Sequence, residues 1–264
     1  MEHFLLIVII GFAVGLLVGM TSMGGGSMMT PILITYLHYD PVIAVGSDIV
    51  YAAITKVVGS AVHIRQKTVD KMMVRHLAYG SVPAAIVGSI LALYLHQITP
   101  AANDYLKLAI GLAICCSATT LLISIFFDVR GVKQKLHDRL KVQTHQKTYT
   151  ILTGVVGGLL VGLTSVGAGS IMLVLMLIIY NTSTRKLIGS DIVHATILLF
   201  TAGIVHLFAG NIDWGLTLGL LLGSVPGVLL GSHLVPRIHK TLLKTVLVTI
   251  LFFLGAQLVY KFFA

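Results

Sequence analysis

Charge is what this chain has least of. Only 10% of its 264 residues are charged, 9 acidic and 18 basic, where a soluble domain carries about 25%. A surface so poor in charge excludes an ordinary water-facing domain and points to lipid as the surroundings. The 56% hydrophobic content and a mean hydropathy of +0.98 agree. Cysteine is nearly absent too: Cys115 and Cys116 are adjacent inside an apolar run. That excludes a disulfide framework or a cysteine metal motif and leaves small helix-packing residues. No His/Cys/Asp grouping has metal-ligand spacing, and no nucleophile–base spacing stands out. Neither a metal, a cofactor nor an enzyme is therefore expected. A basic leader is missing as well. Only Glu2 and His3 follow the first methionine before the first apolar run, and no small-x-small cleavage pattern follows it. The first run is accordingly read as part of the fold and not as a signal peptide.

What the chain has in abundance is apolar runs. They cover residues 4–20, 43–62, 76–95, 105–127, 151–163, 187–207, 216–235 and 245–262, with shorter pieces at 28–37 and 171–180. Most approach the roughly 20 residues that cross a bilayer core of about 30 Å. Continuous runs, without strand alternation, favour helices, so the expected fold is an all-α polytopic membrane protein.

Shifted by 143 positions, the sequence aligns with itself. Residues 15–89 pair with 158–232 without a gap. GLLVGMTSMGGGS at 15–27 returns as GLLVGLTSVGAGS at 158–170. Gly46-Ser47-Asp48 returns as Gly189-Ser190-Asp191, His63 as His206, Asp70 as Asp213, and Gly80-Ser81-Val82-Pro83 as Gly223-Ser224-Val225-Pro226. One offset held across glycines, aspartates, a histidine and prolines is a repeat, and internal repeats are characteristic of transporters.

Basic residues favour the cytoplasmic side. Segments 65–75, 130–147, 185–186 and 237–244 hold 15 of the 18 lysines and arginines, while the connections at 39–41, 97–103 and 208–213 hold none. So 65–75 is expected inside and its repeat counterpart 208–213 outside, which turns the second repeat upside down relative to the first. Both termini are then outside. Residues 4–37 must start and end on the same side, yet as one helix they would span about 51 Å. Each repeat is thus read as a helix–break–helix hairpin with a glycine tip, followed by three transmembrane helices. The divisions are a first membrane repeat at 1–127, a basic cytoplasmic linker at 128–148 and a second, inverted repeat at 149–264. The net charge of +9 follows from this topology and signals no nucleic acid; the linker faces anionic lipid headgroups.

The glycine tips are the candidate substrate site. Glycine breaks a helix without steric cost, and serine or threonine caps the helix that follows. The new helix end offers free N–H donors and partial positive charge, an anion site if two such ends meet near the midplane. The residues are Thr21, Ser22, Gly24, Gly25, Gly26 and Ser27, with Thr164, Ser165, Gly167, Ala168, Gly169 and Ser170. Close packing of membrane helices is the plainer use of such glycines. A phosphate loop is excluded because no Lys-Ser/Thr follows the cluster.

Asp48 and Asp191 stand near the starts of their runs. They either cap or compensate a helix N-terminus or couple a proton or cation, since intramembrane carboxylates are costly and often functional. Lys56 lies eight residues after Asp48 on nearly the same face, with leucine at the equivalent position 199; it attracts an anion or neutralises Asp48. Tyr51 and His194 occupy equivalent positions and are candidates to line a pathway. His63 and His206 are expected to anchor at opposite interfaces, with a gate as the alternative, and Pro83 and Pro226 to bend scaffold helices.

GLLVGMTSMGGGSMMTP at 15–31, its copy at 158–174 and the two GSD triplets make the whole chain resemble the sulfite exporter TauE/SafE family, also called TSUP. That resemblance implies a prokaryotic inner-membrane transporter of sulfur-containing anions such as sulfite, organosulfonates or thiosulfate. The replacement of Gly25 by Ala168, and of Pro31 by Val174, implies that the two halves contribute unequally. The leading expectation is export of a small sulfur oxyanion by alternating access. An anion channel and an importer of a related organic anion are the rivals. Expected partners are the anionic substrate and membrane lipid, with a homodimer left open and nucleic acid not expected.

Overall fold

The computed structural model describes residues 2–21, 26–98, 100–126, 142–167, 169, 171–234 and 240–263. They are mostly helical, with no strand among them. The helices are α1 Glu2–Thr21, α2 Gly26–Thr35, α3 Pro41–Arg65, α4 Lys71–Ile98, α5 Pro100–Phe126, α6 Val142–Thr164, α7 Ile171–Ile179, α8 Thr184–Phe208, α9 Trp214–Leu234 and α10 Lys240–Phe263. Seven of them, α3 to α6 and α8 to α10, are long and apolar enough to cross a membrane; the apolar stretch of α1, Phe4–Met20, is shorter. The protein is therefore multi-pass and all-α. Both glycine segments do separate two helices. The arms that follow them have 10 residues in α2 and 9 in α7. At ~1.5 Å per residue each covers about half of a ~30 Å core.

Local signals explain the helix ends. The Asp40 carboxylate accepts from Val42 N at 2.9 Å and Pro41 occupies the first turn of α3, where its missing N–H costs nothing. Ser183 does the same for α8 through Lys186 N at 3.4 Å. Beyond each C-terminus the chain turns through a left-handed residue, Lys67 at φ +55° and its repeat equivalent Gly210 at φ +72°. Asp70 then caps α4, accepting from Met72 N and Met73 N at 3.1 and 3.2 Å, and pairs with Lys186 of the other half at 3.1 Å. Partial burial works against the Asp70 carboxylate, but these donors outweigh it and hold its pKa below the ordinary value.

The most extensive helix contacts join one repeat to the other: α1 with α9, α4 with α6, α3 with α8, and α5 with α10. The first two pairs are repeat-equivalent, and small residues let their backbones touch. A Cβ on Gly223 would lie 1.9 Å from the Val8 carbonyl, and one on Gly80 would lie 2.1 Å from that of Ile151. Contacts advance in step along α1 and α9 (Gly11 on Leu220, Gly19 on Val228) and along α4 and α6 (Gly80 on Ile151, Gly88 on Leu159), so these pairs run parallel. By contrast α3 and α8 are antiparallel. Gly46 near the start of α3 meets Asn211 past the end of α8, and Gly189 near the start of α8 meets Thr68 past the end of α3. The α5–α10 pair is antiparallel as well, with Gly111 and Cys115 against Gly255 and Tyr105 against Phe262. The cysteines are free, and Cys115 packs as expected on a small residue. Helices α4 and α9 both continue through Pro83 and Pro226. Large apolar side chains, among them Leu5, Val58, Tyr79, Leu222 and Phe253, face outward, an arrangement suited to lipid and unfavourable in water.

Candidate functional site

The site is built around the antiparallel α3–α8 pair. Each GSD triplet divides three tasks. Its glycine lets the other half come close: Gly46 lies against the carbonyl of Asn211 and the ring of His206, and Gly189 against Thr68 and His63. Its serine accepts a backbone N–H from the other half, Asp213 N on Ser47 Oγ at 2.9 Å and Asp70 N on Ser190 Oγ at 2.8 Å. Its aspartate points inward and is buried, Asp48 at 0% and Asp191 at 4% exposure.

The capping role for these aspartates is overturned. Both sit two turns inside their helices, and the caps are Asp40 and Ser183. Asp48 Oδ2 instead accepts two hydroxyl hydrogen bonds, from Thr30 of α2 at 2.5 Å and from Ser165 at 2.8 Å. One carboxylate thus ties the short helix α2 to the break that follows α6. Its Oδ1 has no partner. Ser165 reaches it from a left-handed backbone, φ +61°, and the break continues with Gly167 at +116° and Gly169 at +112°. Glycine tolerates such angles freely. For serine they cost about 1–3 kcal/mol, a strain the surrounding contacts hold in place. Thr164 closes α6 by donating to the Leu160 carbonyl at 2.6 Å and accepting from Val166 N at 3.1 Å.

Lys56 does not serve Asp48. It is buried and within electrostatic reach of Asp191 and His194, which corrects the alternative that it neutralises the aspartate of its own helix. Cross-links nearby set the register: Ser60 Oγ lies 2.7 Å from Thr196 Oγ1, and Gly59 faces Ile192. Asp191 Oδ1 and His194 Nδ1 are buried without partners. The Asp48 and Lys56 levels are eight residues apart on α3, about 12 Å, so the two carboxylates sit at different depths.

Tyr51 and His194 are fully buried beside equivalent serines: Tyr51 lies next to Ser224, and His194 Nε2 is 2.7 Å from Ser81 Oγ. Both serines belong to the repeated Gly-Ser-Val-Pro, which the sequence reading assigned to scaffold. The signal was the repetition itself. Thr30 carried no signal, because its repeat equivalent is Leu173. His206 is not an interface anchor: it is fully buried against Gly46. His63 is half-buried and lies 2.8 Å from Thr68 Oγ1. Of the remaining expected site residues, Gly26 opens α2 and Ser27 is buried on it. Ser22, Gly24, Gly25, Ala168, Ser170 and the side chain of Thr21 lie outside the described residues. Among the described residues no group of acidic, histidine or cysteine side chains is arranged to hold a metal ion.

Comparison with known proteins gives a match over residues 7–258 to the family described as "Sulfite exporter TauE/SafE". Similar curated proteins come from Bacillus subtilis (strain 168). "Probable membrane transporter protein YjnA" is 38% identical, over 96% of this chain and 98% of its own length. "Probable membrane transporter protein YunE" is 22% identical over 98% of both chains. "Probable membrane transporter protein YdhB" is 25% identical over 83% of this chain and 85% of its own. No solved structure matches.

Proposed function

Since the chain belongs to the sulfite exporter TauE/SafE family, a family of membrane transporters, we propose that it carries a small sulfur-containing oxyanion out of the cell by alternating access. The observation that carries this reading is the buried polar core between α3 and α8. Asp48 with Ser165 and His194 with Ser81 join residues of opposite repeats directly, while Lys56 lies within electrostatic reach of Asp191 and Tyr51 beside Ser224. Buried ionisable groups in a membrane protein are expensive and mark substrate or ion pathways. A core shared by two repeats opens to one side or the other as the repeats shift.

The helix directions fit two repeats of opposite orientation. If α3 runs inward from its acidic, lysine-free start, antiparallel α8 runs outward. Helix α9 then returns inward with α1 parallel to it, and α6 follows α4 outward. The glycine breaks interrupt the hairpins from opposite sides. Single-cysteine labelling tests the orientation. Residues 101–103 are expected to label from outside and residues 66–69 from inside; the reverse pattern defeats it.

Export of an anion from a negative-inside cell is electrically downhill, by about 2.3 kcal/mol per charge per 100 mV, so no second ion is required for direction. In proteoliposomes, sulfite flux is expected to saturate and to show counterflow. Flux that neither saturates nor exchanges would make the protein a channel, and absence of flux for sulfite, thiosulfate and alkanesulfonates would remove the substrate class.

A further inference from the structure

The repeat makes Asp48 and Asp191 equivalent, yet their surroundings have diverged. Asp48 has hydroxyl partners, Thr30 and Ser165, on one oxygen. Asp191 has Lys56 within electrostatic reach and His194, the equivalent of Tyr51, a turn further along α8. Leucine stands at 199, where Lys56 has its equivalent, and at 173, where Thr30 has its own. One half of a symmetric frame has kept a hydroxyl-bound carboxylate, and the other holds a cation and an imidazole.

The second cluster is also incomplete. Lys56 is 9% exposed, Asp191 4% and His194 0%. Among the described residues Lys56 and Asp191 form no direct ion pair within 4.0 Å. Asp191 Oδ1 and His194 Nδ1 have no partner at all. Ser81 Oγ occupies Nε2 of His194 at 2.7 Å, so Nδ1 is the ring nitrogen left open, a donor in the tautomer that carries its hydrogen there. Buried polar atoms of native proteins are nearly always satisfied. Two unpartnered atoms beside a buried lysine that forms no ion pair among the described residues describe a site short of an acceptor that brings its own negative charge.

We propose that Lys56, His194 and Asp191 form the subsite for the oxyanion of the substrate, and that Asp191 takes up a proton as the anion enters. This rests on the transport reading above and adds the residues and the charge balance. Lys56 and ionised Asp191 together are neutral. A monoanion added to them would leave an uncompensated buried charge, which costs several kcal/mol. A proton on Asp191 cancels that charge and turns a repelling carboxylate into a donor. Lys56 from α3 is the charged group within electrostatic reach of Asp191, His194 stands one turn further along α8, and α4 adds the Ser81 hydroxyl at His194. Among the described residues of the other elements packed on α8, none brings a further charge within electrostatic reach of Asp191. The Asp48 site is the weaker choice for an anion, since among the described residues no cation accompanies it.

The test is sulfite binding to the purified full-length protein, followed by calorimetry and by proton uptake in weak buffer. Removing Lys56 alone would strand Asp191, so the first variant is Lys56→Met with Asp191→Asn, which removes both charges together. Its affinity is expected to fall about 30-fold or more, the scale of losing a buried charged partner. Asp191→Asn alone is expected to keep binding but to take up about one proton fewer per anion than the wild type, whatever protonation state free sulfite has. Size-exclusion profiles and thermal midpoints without anion establish that both variants are folded. Wild-type affinity in the double variant, or undiminished proton uptake in Asp191→Asn, overturns the subsite while leaving the transporter reading intact. A wild type that neither binds nor moves sulfite overturns both.

Discussion

A protein carrying Thr30→Val and Ser165→Gly is expected to lose transport by about 100-fold or more while remaining folded in the membrane. These side chains supply both hydrogen bonds to Asp48 Oδ2, at 2.5 and 2.8 Å, and Asp48 is wholly buried with its other oxygen unpartnered. A hydrogen bond to a charged group contributes about 1.5–3 kcal/mol, so losing both shifts the balance of states by roughly 3–6 kcal/mol. Each 1.4 kcal/mol is about tenfold. Valine keeps the shape of threonine. Glycine accepts the +61° φ of position 165 without the strain that serine carries there, so the fold is protected at the point where chemistry is removed. Flux should be normalised to monodisperse protein in proteoliposomes. Each single variant is expected to lose about tenfold. Flux of the double variant within about threefold of wild type would mean that Asp48 ties the hairpins together structurally and has no part in the cycle.

Gly223→Ala combined with Gly80→Ala is expected to cause the largest loss of folded protein. A single methyl at Gly223 would sit 1.9 Å from the carbonyl of Val8 and 2.7 Å from Phe12 N; at Gly80 it would sit 2.1 Å from the carbonyl of Ile151. These neighbours are backbone, so no side chain can swing away and whole helices must separate along α1–α9 and α4–α6. Overpacking typically costs about 1–3 kcal/mol, more where relaxation is blocked. Two such insertions approach a total stability of about 5–15 kcal/mol. Gly203→Ala is the control: its methyl would meet Val50 and Ile49 at 3.5 and 3.6 Å, ordinary contact. Thermal unfolding in detergent should show a large drop in midpoint for the double variant and almost none for the control. Equal midpoints would show that the two parallel pairs do not depend on close backbone approach.

The sequence by itself determined the class and much of the wiring. Scarce charge and long apolar runs require helices in lipid, because unpaired backbone groups cannot be left there. The 143-residue offset picks out GSD and GSVP from the sequence alone, and both triplet and tetrad carry contacts between the halves. Legibility failed where the repeat did. Thr30 faces a leucine at its equivalent position, so repetition could not point to it. Lys56 stands on the same helix as Asp48, and helical spacing points to that neighbour, whereas the carboxylate within its electrostatic reach, Asp191, comes from an antiparallel helix 135 positions away. The capping reading of the aspartates failed for a related reason. A Gly-Ser-Asp near the start of an apolar run resembles a helix entry, but Asp40 and Ser183 had already begun those helices two turns earlier. Periodicity and composition act along one chain and set which segments are helical and where they break. Which buried charge meets which hydroxyl depends on how helices from two interleaved repeats cross, and only the tertiary structure decided that.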